Sequence, residues 1–287
     1  MSADELRVAD LMTRKVHTLT DTQSLPLAES LMGLARIRHV PVVDEGGRLG
    51  GLVTHRDLLA AKISGLTPLS PEERSTLELS VPVSKVMRTD VWTIAPDALA
   101  VSAARILKDH RFGCLPVVEE DRRLVGIVTE ADLLRLVTDA LALDRPKAWT
   151  VELAMTHVPV TIGAEATVAE ARDRMTRFGI RHLPVLEDGR VVAMLSDRDL
   201  RVAEAVFRET DHASAVRTVR LVGRDELLRV AHDAPLDHVF RDMFDRRIDA
   251  AVVEKAGRLV GVLTALDACR LLASPPGPFG SGPPPAV

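Results

Sequence analysis

Tyrosine is absent from this 287-residue chain, and all aromatics together make up only 3% of it: six Phe and two Trp. A core built almost without rings must be filled by Val, Leu, Ile, Ala and Met. The apolar fraction of 46% is high enough to exclude a mainly disordered chain. Cysteine is nearly lacking too, with Cys114 and Cys269 alone. Two cysteines build neither a disulfide framework nor a structural zinc cage, and their scarcity points to a reduced, cytoplasmic setting. There is no uninterrupted apolar run of about 18 residues, which excludes a membrane-spanning helix and, with it, a membrane partner. The opening Met1-Ser2-Ala3-Asp4-Glu5 is polar and acidic, unlike a secretory signal. Neither charge sign dominates: 37 Lys and Arg face 41 Asp and Glu, for a net charge of -4. Such a balance exerts no global pull on nucleic acid and argues against it as a partner. The local cluster Arg241, Arg246 and Arg247 is interleaved with Asp242 and Asp245 and reads as a solvated helix face. Enzyme signatures are missing as well: no GxxxxGK(S/T) loop, no GxGxxG after a strand, no HExxH. The nine His are scattered without ligand spacing, so no metal and no catalytic cofactor is expected.

What the chain has is repetition. Arg38-His39-Val40-Pro41-Val42-Val43 recurs as Gly113-Cys114-Leu115-Pro116-Val117-Val118, as Arg181-His182-Leu183-Pro184-Val185-Leu186, and as Ile248-Asp249-Ala250-Ala251-Val252-Val253. The steps, from Pro41 to Pro116 to Pro184 to Ala251, are 75, 68 and 67 residues, the spacing of tandem copies of one small unit. A second block keeps register: Gly51-Leu52-Val53-Thr54 through Asp57, Gly126-Ile127-Val128-Thr129 through Asp132, Ala193-Met194-Leu195-Ser196 through Asp199, and Gly261-Val262-Leu263-Thr264 through Asp267. A third block, Met12, Met87 and Met155, is followed at one fixed offset by Thr18, Thr93 and Thr161. The fourth repeat lacks this Met-Thr opening.

Each unit reads as β-α-β-β-α. In the first, a short extended piece at Thr18-Leu19 leads to a helix over 25–36, with Leu27, Leu31, Leu34 and Ala35 expected on its buried face. Val40 to Val43 and Leu49 to Val53 are strands around a Gly46-Gly47 turn, and Thr54 opens a closing helix. A unit this small is marginal alone, so pairing is expected. The expected division is 1–66 for the first repeat, a linker over 67–82, 83–140 for the second, a linker over 141–149, 150–206 for the third and 207–273 for the fourth. The connector over 62–82 reads as a loop with a short helix, and 204–220 as largely helical. The Pro/Gly-rich tail over 274–287 is expected to be disordered.

The chemistry lies in Thr54–Asp57, Thr129–Asp132, Ser196–Asp199 and Thr264–Asp267. Each pair puts a hydroxyl and a carboxylate at a helix N-terminus, where free N–H groups and the positive dipole end lie. One reading is a capping box. The other is ribose recognition, in which the carboxylate accepts from both hydroxyls of a cis-diol. Fourfold recurrence after a Gly- or Ala-containing strand weighs toward the second without removing the first.

On these blocks the chain resembles the CBS (cystathionine beta-synthase) domain family over almost all of residues 8–272, in a four-repeat layout similar to the gamma subunit of AMP-activated protein kinase. The resemblance implies an α/β (α+β) fold of four tandem repeats paired about pseudo-twofold axes into two Bateman modules. It implies clefts that take adenosyl ligands, AMP, ADP or ATP foremost, with S-adenosylmethionine, NAD or a cyclic dinucleotide as alternatives. Asp57, Asp132, Asp199 and Asp267 would hold ribose, with Thr54, Thr129, Ser196 and Thr264 beside them and the Thr18, Thr93 and Thr161 stretches along the adenine. Arg38-His39 before Pro41, and Arg181-His182 before Pro184, would meet phosphates, with a pH-sensitive contribution from His. The bland alternative is that these side chains close a strand end or pair with an acid. Repeats 2 and 4 carry Gly113-Cys114 and Ile248-Asp249 there, so clefts of repeats 1 and 3 are favoured for phosphorylated ligands. The expected function is a non-catalytic sensor that signals by conformational change to an effector protein in trans. A scaffold or oligomerisation protein with decayed sites is the alternative, and pairing of two chains into a homodimer stays open.

Overall fold

The computed structural model describes residues 6–61, 81–143, 149–209 and 218–273. The connector expected over 62–82, the middle of the two later connectors and the tail over 274–287 fall mostly or wholly outside the described residues. Repeat 1 comprises α1 (Val8–Leu11), α2 (Leu25–Ala35), β1 (His39–Val43), β2 (Leu49–Thr54) and α3 (His55–Ala61). Repeat 2 opens with a 3-10 turn at Val83–Lys85 and continues with α4 (Ala100–His110), β3 (Cys114–Val118), β4 (Leu124–Thr129) and α5 (Glu130–Leu143). Repeat 3 has α6 (Val151–Ala154), β5 (Thr156–His157), β6 (Ile162–Gly163), α7 (Val168–Phe178), β7 (His182–Glu187), β8 (Arg190–Ser196) and α8 (Asp197–Glu209). Repeat 4 opens with a 3-10 turn at Val219–Leu221, followed by β9 (Arg229–Ala231), α9 (Leu236–Asp245), β10 (Ala250–Lys255), β11 (Arg258–Thr264) and α10 (Ala265–Ala273). The helix α5 runs three residues into the linker expected from 141, ending at Leu143.

Each repeat is an antiparallel hairpin joined by a short parallel piece. Pro41 pairs with Leu52, Pro116 with Ile127, and Pro184 with Met194, each register breaking near the strand's end. Leu19, Ile94 and Ile162 lie parallel to Val42, Val117 and Val185. The helix α2 corrects one expectation. Its buried residues are Leu25, Ala28 and Met32; of the expected set Leu31 packs partly buried against the same core, while Leu34 is 88% and Leu27 46% exposed. Helical spacing fits both sets equally, and packing against Val40, Val42 and Val53 decides between them.

The opening segments are exchanged within each pair. Val8, Leu11 and Met12 lie in the core of repeat 2, with Ala103, Leu107 and Val117, while Val83, Val86 and Met87 lie in that of repeat 1. Val151, Ala154 and Met155 likewise enter repeat 4, and Val219 and Val222 enter repeat 3. Each segment also adds an antiparallel bridge to its host's second strand: Thr13 to Ile127, Arg88 to Leu52, Thr156 to Val262 and Arg224 to Met194. Reciprocal contacts of this kind are the signature of a twofold relation, and they build two modules, repeats 1 with 2 and 3 with 4.

The strand glycines follow from the exchange. A Cβ on Gly51 would lie 2.6 Å from Met87 Sδ, on Gly126 2.4 Å from Met12 Sδ, and on Gly261 2.4 Å from Met155 Sδ. Repeat 3 has Ala193 there, and its guest residue is Gly223, whose own Cβ would come within 2.8 Å of the Ala193 methyl. The fourth repeat lacks Met at its opening because its host strand already carries the extra methyl.

The modules join through the helices of repeats 2 and 4. Leu134 and Val137 of α5 are buried among Val239, Phe240 and Met243, while Cys269 and Ala273 of α10 are buried with the core of repeat 2. Thr138, buried in this layer, donates to the Leu134 carbonyl at 2.9 Å and so costs little.

Candidate functional site

All four hydroxyl–acid pairs cap helices. Thr54 N donates to Asp57 Oδ2 at 2.9 Å and its hydroxyl does so at 2.6 Å, while Asp57 N donates back to Thr54 Oγ1 at 3.3 Å. Thr129–Asp132 repeats the pattern at 2.8, 2.7 and 3.4 Å. In Ser196–Asp199 the backbone bonds are 3.0 and 3.1 Å, with the Ser196 hydroxyl also on the carboxylate. Thr264 places its N–H and hydroxyl on Asp267 Oδ2 at 2.7 and 2.9 Å. In every case Oδ2 is occupied by the cap, which leaves Oδ1 outside it.

What meets Oδ1 differs between repeats. In repeats 1 and 3 it is a guanidinium from the partner repeat: Arg88 Nε lies 3.3 Å from Asp57 Oδ1, and Arg224 Nε lies 3.1 Å from Asp199 Oδ1. In repeat 4 it is an arginine of the same helix, Arg270, at 2.8 Å, and Asp267 is only 4% exposed. Burial pushes the Asp267 and Asp132 carboxyls up, against the pull of their capping bonds and of Arg270 and Arg135 respectively.

The structure places the sequence-predicted basic residues at the seam between modules. Arg38 donates to both oxygens of Asp249 at 2.6 and 3.0 Å. Arg181 reaches Glu130 Oε1 at 2.5 Å, and Arg56 reaches Asp197 Oδ2 at 2.6 Å. Burial raises the Asp249 carboxyl, but the Arg38 hydrogen bonds and charge outweigh it and hold it below the usual carboxylate range. Burial also raises Glu130, and there the Arg181 partner does not fully offset it.

His39 and His182 sit inside this seam. Burial, reinforced at His39 by the Arg38 charge and at His182 by that of Arg181, lowers both imidazoles to about 4. The pH sensitivity expected near neutrality is therefore displaced into the acid range. The His39 ring also explains Gly113, because a Cβ there would come within 2.8 Å of ring Cε1 and Nε2. Cys114 and Cys269 are buried, and burial pushes both thiols up, so they are packing residues.

Thr18, Thr93 and Thr161 each precede the short parallel piece of their repeat, with Thr18 exposed and the other two half-buried. The Thr161 carbonyl accepts from Arg174 at 2.6 Å. An open depression of about 780 Å³ takes in Thr93 together with Pro96, Asp97, Val118, Glu119 and Arg123, but none of the hydroxyl–acid pairs. Pro41, Pro116 and Pro184 are buried in their strands.

Arg88, Arg224, Glu130 and the bonding role of Asp249 escape the sequence reading. A signal for the first two is present: the position after Met12, Met87, Met155 and Gly223 reads Thr13, Arg88, Thr156, Arg224, basic only in the segments lodged in repeats 1 and 3.

Comparison with known proteins agrees with this architecture. The CBS domain model matches residues 8–64, 83–139, 151–205 and 219–274. The chain belongs to the CBS domain family, as four tandem domains in two Bateman modules. It is similar to a CBS domain-containing protein of Dictyostelium discoideum, 34% identical over 134 residues, which is 47% of this chain and 92% of that one. It is also similar to a homoserine O-acetyltransferase of Methanococcoides burtonii, 35% identical over 130 residues. That match covers 45% of this chain and spans about a quarter of the enzyme's length, 24%. Among solved structures, protein MJ1225 of Methanocaldococcus jannaschii, proposed as an archaeal homologue of g-AMPK, superposes with a TM-score of 0.73 at 20% identity, covering 93% of this chain and 100% of that one. Among the described residues no helix is long and apolar enough to cross a membrane.

Proposed function

We propose that the chain is a non-catalytic, cytoplasmic regulator that binds an adenosyl ligand of the AMP, ADP or ATP class in the clefts between paired repeats and signals to an effector protein in trans. One observation carries this reading: in repeats 1 and 3 a capped carboxylate, Asp57 or Asp199, turns its outer oxygen to the seam with the partner repeat. A cis-diol needs such a fixed acceptor, and the cap orients it without conformational cost on binding. By the same geometry the cleft of repeat 4 is the poorest, since Asp267 is buried under Arg270. Asp132 stands between these cases. Binding would shift the fit between repeats and hence the face offered to a partner.

Thermal melting against AMP, ADP, ATP, S-adenosylmethionine, NAD and cyclic dinucleotides tests this. A ligand at about 100 times its dissociation constant stabilises by roughly 2.7 kcal/mol, a rise of several degrees. The shift is expected with an adenine nucleotide and is expected to fall in the Asp57→Ala, Asp199→Ala double variant. No shift with any ligand, in protein freed of co-purified nucleotide, overturns the proposal. The scaffold reading would then take its place. It draws on the ion pairs that satisfy Arg38 and Arg181 with acids of the opposite module, leaving the expected phosphate ligands already partnered.

A further inference from the structure

We infer that Arg88 and Arg224, each contributed by the opening segment of the partner repeat, are the phosphate-binding cations of the Asp57 and Asp199 clefts. This rests on the adenosyl reading above and assigns its phosphate side to residues other than Arg38 and Arg181. Three observations support it. First, Arg38 and Arg181 are committed to Asp249 and Glu130 across the module seam, Arg38 through both carboxylate oxygens. Recruiting them for phosphate would strand partly buried acids, which is costly. Second, the Arg88 and Arg224 side chains are 63% and 65% exposed and each holds its carboxylate by Nε alone, whereas Asp57 and Asp199 are only 11% exposed. The guanidinium is thus anchored at one edge, with its remaining donors directed away from the acid. Third, among the described residues only the clefts of Asp57 and Asp199 receive a basic residue from the opening segment of the partner repeat. The equivalent positions facing repeats 2 and 4 are Thr13 and Thr156.

The arrangement exchanges one anion for another. In the empty cleft the guanidinium neutralises the carboxylate. When a ribose diol donates to Oδ1, the arginine is released on its flexible stem and turns to the phosphate on the same ligand. The guanidinium has an anionic partner in both states, which a bare nucleoside would not give it, so a phosphorylated nucleoside is favoured.

Titration calorimetry of the full chain with adenosine and with ADP, in wild type and in Arg88→Gln, Arg224→Gln, tests the assignment. Wild type is expected to prefer ADP. The double variant is expected to lose about tenfold or more in ADP affinity while adenosine binding holds or tightens, because the carboxylates are released from competition. Arg88→Lys, Arg224→Lys is expected to recover part of the ADP preference, as a charge without the fork. Unligated melting curves show whether each variant is folded. A double variant that keeps the full ADP preference, or loses adenosine and ADP alike, overturns the assignment while leaving the adenosyl reading intact. If wild type binds neither compound, this assignment falls, and the adenosyl reading falls with it when no ligand of the melting panel shifts the protein either.

Discussion

At the residue scale, the seam between modules holds two imidazoles kept neutral. A free His titrates near 6.5, and His39 and His182 titrate at about 4 in the fold. Between those values the unfolded chain binds protons that the native state refuses, so stability is full above about 6.5 and falls as pH drops toward 4. Each His withdraws up to about 1.4 kcal/mol per pH unit in that window. Glu130 and Asp267, whose carboxyls burial raises, act in the opposite sense and offset part of the loss. Urea midpoints from pH 7.5 to 4.5 should therefore fall more steeply in wild type than in His39→Gln, His182→Gln. Parallel curves for the two proteins would show that the imidazoles do not drive the acid limb. Of these residues, the sequence shows the Arg-His dipeptides but not their acidic partners, because Asp249 and Glu130 lie far along the chain and are brought in only by the stacking of modules.

At the element scale, the second hairpin strand and the guest segment are a matched pair. Gly with Met occurs three times, and Ala193 with Gly223 once. Gly51→Ala should destabilise, since the new Cβ meets both Met87 Sδ and, at 2.9 Å, the Arg88 carbonyl. Met87→Gly should destabilise through the space left in the core of repeat 1 and the added backbone entropy. The double variant reproduces the native combination of repeats 3 and 4. Its loss should be smaller than the sum of the singles, with a coupling of about 1 kcal/mol or more in a urea double-mutant cycle. Additive losses would mean that the two positions tolerate each other by backbone adjustment instead. The Gly and Met blocks are both legible in the sequence, yet their contact is not. The register repeats whether a segment packs on its own repeat or on its neighbour.

At the scale of the whole molecule, helices of repeats 2 and 4 belong to shared cores. Leu134 and Val137 pack with Phe240 and Met243, and Cys269 packs with Leu107 and Leu133. Two modules joined in this way should melt as one unit, and calorimetry should show a single transition. Phe240, fully buried at this junction, should cost about 3–5 kcal/mol when replaced by Ala and should lower that transition as a whole. Two resolved transitions, with Phe240→Ala moving only one of them, would show modules that unfold independently. The junction also bears on signalling. A ligand that alters the fit in one module is connected to the other by a packed layer rather than by a flexible tether.

The fourfold β-α-β-β-α plan, the strand carrying Pro, and the hydroxyl–acid caps were determined by sequence alone. Each is a local pattern, of alternation, turn residues or capping spacing, that needs no distant partner to be expressed. The buried face of α2 was not, because two apolar sets shared the same helical period and only the neighbouring sheet could choose between them. Nor were the exchanged openings, the ion pairs that occupy Arg38 and Arg181, or the arginines set against Asp57 and Asp199. All of these join residues from different repeats. Identical repeats offer each segment several equivalent hosts, and only packing in three dimensions selects one.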